Sequence, residues 1–79
     1  MKTKYRYIHF EESEGFFYKA YLIKTNRGNK LLGSISWYAD WGEFVFEGKE
    51  NCIFNVGCMN DIIHFISQLK RTNNEKTNS

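Results

Sequence analysis

The chain has no proline, no internal repeat and no long linker, and its 79 residues are too few for two independent cores. One domain is therefore expected. Cysteine is scarce. Cys52 and Cys58 are the two present, whereas a disulfide-stapled secreted domain of this size usually carries about four or more. The basic N-terminus, Met1-Lys2-Thr3-Lys4-Tyr5-Arg6, leads into no apolar segment of the kind a signal peptide needs. No apolar run approaches the ~18 residues of a membrane span. Together these absences predict a reduced, cytoplasmic protein.

An excess of charge of one sign is missing as well. The net charge is +2, and Lys70, Arg71, Glu75 and Lys76 supply it, since residues 1–69 carry eight basic and eight acidic side chains. A neutral body lacks the electrostatic footprint of backbone-driven nucleic-acid binding. Also missing are a phosphate-binding glycine loop, a dinucleotide fingerprint and a zinc-protease helix motif.

What the chain does have is aromatic residues: seven Phe, five Tyr and two Trp. Large rings supply the most apolar area per residue ordered, which a domain this small needs. Oligomerisation is the other common route to stability at this size, so a homodimer is expected.

The pattern along the chain predicts an α+β domain over residues 1–71 and a disordered polar tail over 72–79. Residues 4–10 and 16–25 read as strands around a turn at 11–15. In the second strand Phe16, Tyr18, Ala20 and Leu22 share one face. Phe17, Lys19, Tyr21, Ile23 and Thr25 share the other, which is mixed and reads as partly exposed. Lys2, Lys4 and Arg6 are candidates to pair with Glu11, Glu12 and Glu14 across that hairpin. Asn26-Arg27-Gly28-Asn29 reads as a turn with Gly28 at positive φ. Residues 30–38 form a third strand with Leu31, Gly33, Ile35 and Trp37 toward the core, and Gly33 signals a bulge, a bend or a close approach. After a tight turn at Ala39-Asp40-Trp41-Gly42, residues 43–47 form a short strand with Phe44 and Phe46 inward. Residues 52–54 are a candidate fifth, edge strand. A helix follows from about 56 to 71, capped by Asn55, with Cys58, Met59, Ile62, Phe65, Ile66 and Leu69 within about 60° of Ile62. The expected architecture is an antiparallel four- to five-stranded meander with one C-terminal helix packed on one face.

Candidate chemistry is sparse. Asp61, His64 and Ser67 have triad residue types at helical spacing, but His64 lies about 160° from the apolar stripe and should face water. Cys52, Cys58, His9 and His64 lack the short spacing of a zinc knuckle. No catalytic residue, metal site or cofactor is assigned, and the chain reads as a non-enzyme. The most informative segment is Trp37-Tyr38-Ala39-Asp40-Trp41. Either Trp37 is core and Trp41 folds back as a lid, or Tyr38 and Trp41 form an exposed patch that Tyr21 and Lys19 extend. Such a patch suits a protein hot spot or base stacking.

Residues 32–46, with Gly33, Trp37, Trp41, Phe44 and Phe46, followed by Phe54-Asn55 and Cys58-Met59-Asn60-Asp61-Ile62, resemble a set of small phage and prophage proteins. Those proteins often carry a basic residue where this chain has Gly42, and a proline where it has Glu47-Gly48. The resemblance implies a non-catalytic phage-type protein of the host cytoplasm that inhibits or sequesters a host factor, antiviral defence included. Two other functions are carried beside it. One is a sponge for a nucleotide signal, with a pocket between protomers and Lys19, Lys24, Arg27 or Lys30 on the phosphates. The other is a single-stranded nucleic-acid module.

Overall fold

The computed structural model describes the backbone of residues 1–14 and 19–78 and the side chains of 1–13 and 19–71. Four strands, β1 (Ile8–Glu14), β2 (Lys19–Thr25), β3 (Leu31–Tyr38) and β4 (Glu43–Gly48), precede one helix, α1 (Val56–Asn78). The sheet is an antiparallel meander in the order β1-β2-β3-β4. The expected α+β architecture is the one found. No helix among the described residues is long and apolar enough to cross a membrane.

The first strand begins later than its aromatic content suggests. Residues 4–8 form a tight reversal closed by the Tyr5 amide donating to the Ile8 carbonyl (2.8 Å) and bridged at Lys4–His9. The acidic run 11–14, expected as a turn, is strand. Cross-strand pairing explains why: Glu11 Oε2 meets Lys24 Nζ at 2.7 Å and Glu12 Oε1 meets Lys19 Nζ at 3.3 Å. Glu11 and Glu12 are therefore held against β2 rather than against Lys2, Lys4 and Arg6. Residues 15–18, with Phe16, Phe17 and Tyr18, lie outside the described part.

One face of the sheet, the inner face, lies under α1. It carries Ile8 and Phe10 of β1, Tyr21 and Ile23 of β2, Gly33 and Ile35 of β3, all buried. The β2 face expected to be exposed is thus the core face. Its polar members, Lys19 and Thr25, sit at the two strand ends, where they reach solvent or the turn, so only Tyr21 and Ile23 lie beneath the helix. Phe65, fully buried, stacks flat on Phe10 (4.1 Å between ring centroids) and meets Tyr21 edge-on at 5.1 Å. Cys58, Ile62 and Leu69 complete the helix side of the core.

Gly33 is a point of close approach. Ile23 pairs with Gly33 but Lys24 pairs with Leu31, so Leu32 is an extra residue in β3. The bulge turns Leu32 into the core and leaves Leu31 half-buried, reversing the alternation expected there. Across the next ladder Gly33 pairs with Gly48. A Cβ on Gly33 would strike the Glu47 carbonyl oxygen and lie 3.2 Å from Gly48 Cα.

The β2–β3 and β3–β4 turns are as expected. Gly28 (φ 87°) and Asn29 (φ 52°) close the β2–β3 hairpin, with the Lys30 amide donating to Thr25 Oγ1 at 2.9 Å. Residues 52–54 are not a strand. Cys52 closes a turn by donating its amide to the Lys49 carbonyl (3.2 Å), which carries the chain off the sheet toward the helix. Asn55 caps α1: its Oδ1 accepts from the Cys58 amide at 2.8 Å. Asn55→Ala should cost about 1 kcal/mol in urea denaturation; an unchanged midpoint would show the cap contributes nothing. The helix also runs to Asn78, past the stop expected at Arg71, since residues 71–78 are polar but contain neither glycine nor proline to end it. The side chains of 72–79 lie outside the described part.

Candidate functional site

The β3–β4 connection is a compact turn. The amides of Trp41 (3.2 Å) and Gly42 (2.9 Å) both donate to the Tyr38 carbonyl, and Gly42 takes φ 63°. This geometry projects Trp41 outward, 69% exposed, and sets it edge-on to the Tyr38 ring at 5.0 Å. Trp41 does not fold back over the sheet as a lid. Asp40 is exposed beside it.

The alternation of β3 divides the expected site. Tyr38 projects to the outer face, opposite Glu43. Trp37 projects to the inner face, half-buried and edge-on to Phe44 at 5.1 Å. Tyr21 belongs to the core beneath Phe65, so it does not extend the patch. Lys19 stands at the same end of the sheet as Trp37, on the inner face, with its ammonium held by Glu12. Of the six residues expected to bind, the structure brings Tyr38, Asp40 and Trp41 together at one tip and leaves Trp37, Tyr21 and Lys19 apart from it.

The cations of the nucleotide reading are dispersed. Lys19 and Lys24 are each in an ion pair. Arg27 and Lys30 flank the β2–β3 turn, at the opposite end of β3 from Trp41, roughly 25 Å away along an eight-residue strand. A depression of about 330 Å³ on the outer face is lined by Leu22, Leu31, Ser34 and Glu47 among others and is shallow and largely apolar.

The helix residues with triad chemistry are otherwise engaged. Ser67 Oγ donates to the Ile63 carbonyl of its own helix at 2.9 Å. His64 is exposed, as its position on the wheel requires, yet its Nδ1 shares a 2.7 Å hydrogen bond with the Tyr5 hydroxyl. Gln68 binds both backbone groups of Lys2, accepting from its amide and donating to its carbonyl, each at 2.8 Å. This side of the helix thus holds the N-terminal arm down. Burial, and after it the charge of Asp61, raises the Tyr5 pKa; burial likewise raises that of Tyr21. Glu11 is held below the usual carboxylate range by hydrogen bonds from Lys24 and His9. Cys58 is buried in the core, away from His64.

Comparison with family models, characterised proteins and solved structures finds no match.

The sequence reading missed a second apolar surface. Ile53 is 90% exposed, and Val56, Met59 and Ile63 follow it along one flank of α1, all exposed. Met59 was expected in the buried stripe. Because the N-terminal arm occupies the flank carrying His64 and Gln68, the core side of the helix is centred toward Cys58 and Phe65, and Met59 turns outward. The signal available was the 56-59-63 spacing, which is apolar beyond the main stripe.

Proposed function

We propose that this is a non-catalytic binding protein that engages a partner protein through the β3–β4 tip, with Tyr38 and Trp41 as anchors and Asp40 as their polar neighbour. The observation that carries the reading is Trp41 itself: a 69%-exposed indole held at a fixed angle by Tyr38 on a hydrogen-bonded turn. Trp and Tyr supply large contact area with few rotatable bonds to freeze, and they dominate binding hot spots. The resemblance to small phage proteins makes a host factor the partner class to test first, antiviral defence components included. The nucleotide-sponge reading draws on cations that the fold pairs or disperses, and the nucleic-acid reading has residues 1–69 of zero net charge against it, so both have less support.

The test is a double substitution, Tyr38→Ala with Trp41→Ala, in a binding titration against a partner identified from the host. Loss of about 30-fold or more in affinity is expected, as for a hot spot of ~2 kcal/mol. Stability should fall by only about 1–2 kcal/mol, because Trp41 is 69% exposed and Tyr38, 40% exposed, lies at the end of β3, and circular dichroism would verify that the variant remains folded. Unchanged affinity would remove the tip from the interface.

A further inference from the structure

We propose that β4 is a homodimer edge, at which two copies join their sheets antiparallel about a two-fold axis at Phe46, with Glu43 of each copy facing Lys49 of the other. Among the described residues no strand lies beyond β4. The direction of its free backbone groups follows from its ladder with β3. The Lys49 amide donates to the Leu32 carbonyl at 2.8 Å, so alternation turns Glu43, Val45, Glu47 and Lys49 toward β3 and leaves the polar groups of Phe44, Phe46 and Gly48 pointing outward. An unprotected edge of this kind is a template for another strand.

Charge and ladder length together select the register, since a two-fold at Gly48 would also oppose Glu47 to Lys49 but would run past the end of β4. A two-fold at Val45 would set Glu43 opposite Glu47 of the second copy, and one at Glu47 would set that carboxylate against itself, both repulsive. A two-fold at Phe46 pairs Phe44 with Gly48, Val45 with Glu47 and Glu43 with Lys49. It matches outward-facing backbone groups to one another and forms roughly six ladder hydrogen bonds. Glu43 and Lys49 are both exposed, and neither has an ion-pair partner within the chain among the described residues. The apolar surface agrees. The two-fold puts both helices on the same face of the joined sheet, where Phe46, edge-on to Phe54 at 5.2 Å, comes beside its copy.

The inference uses this chain alone and is independent of the partner reading. Sedimentation equilibrium of the purified protein across a concentration series should show a reversible dimer that weakens with added salt. Glu43→Lys and Lys49→Glu should each raise the dissociation constant by about 5- to 30-fold, since each creates two like-charge oppositions, and the double swap should restore it. All three changes are on exposed side chains, and circular dichroism would verify that the variants remain folded. A monomer at every concentration overturns the proposal and leaves the edge to a strand of another protein. So does a dimer indifferent to both single swaps, or one that the double swap fails to restore.

Discussion

Phe65→Ala should remove most of the fold's stability, by about 3–5 kcal/mol. The ring is fully buried, and among the described residues it meets rings of two different strands: it stacks on Phe10 at 4.1 Å and meets Tyr21 edge-on at 5.1 Å. Truncation therefore opens a cavity between layers that β1, β2 and α1 cannot each close alone, and it also deletes two aromatic pairs. A domain of 79 residues commonly has only about 4–12 kcal/mol in total. A fall in the melting temperature of roughly 15–30 °C is expected by circular dichroism. Phe65→Leu keeps most of the volume and should cost less than half as much. A melting temperature within about 5 °C of the parent for the alanine variant would show that the helix does not rest on this ring.

The second large effect is expected at a residue with no side chain. Gly33→Ala adds one methyl group, yet it should cost about 3 kcal/mol, at the top of the usual range for overpacking. The obstruction is backbone on the neighbouring strand, the Glu47 carbonyl and Gly48 Cα, which cannot swing aside as a side-chain end can. Relief requires β3 and β4 to separate, which breaks the ladder between them. Gly48→Ala is the control. Its added methyl would meet the rims of Phe46 and Phe54 at 3.3 Å, rings at a partly exposed edge that can shift, so its urea midpoint should move much less. Equal shifts for the two variants would argue against the close approach.

How far the sequence foretold this molecule depends on what each signal reports. The meander was legible from the turns, because Gly28 and Gly42 occupy backbone conformations that few residues tolerate, and those constraints are local. The Asn55 cap was legible for the same reason. Face assignment in β2 was not. Tyr21 and Ile23 are core because a helix forty residues later lies on them, and the ends Lys19 and Thr25 disguised that face as polar. The shift of β1 to the acidic run Glu11–Glu14 also escaped, since strand propensity is weak against cross-strand ion pairs with Lys19 and Lys24. At the candidate site, the Trp37–Trp41 cluster was visible as composition. The alternation over residues 30–38 already separated Trp37, toward the core, from Tyr38, and only the fold showed that Tyr21 lies beneath Phe65.

The stack of Phe10 on Phe65 also has a consequence in time. It joins positions 55 residues apart (65 − 10) in a chain of 79. At typical rates of synthesis, about 5–20 residues per second, β1 waits roughly 3–11 s for its helix. Through that interval the aromatic face of β1 lacks the ring that will cover it. The stack cannot form until α1 has been made, so any chain interrupted before that point presents an uncovered aromatic face prone to association.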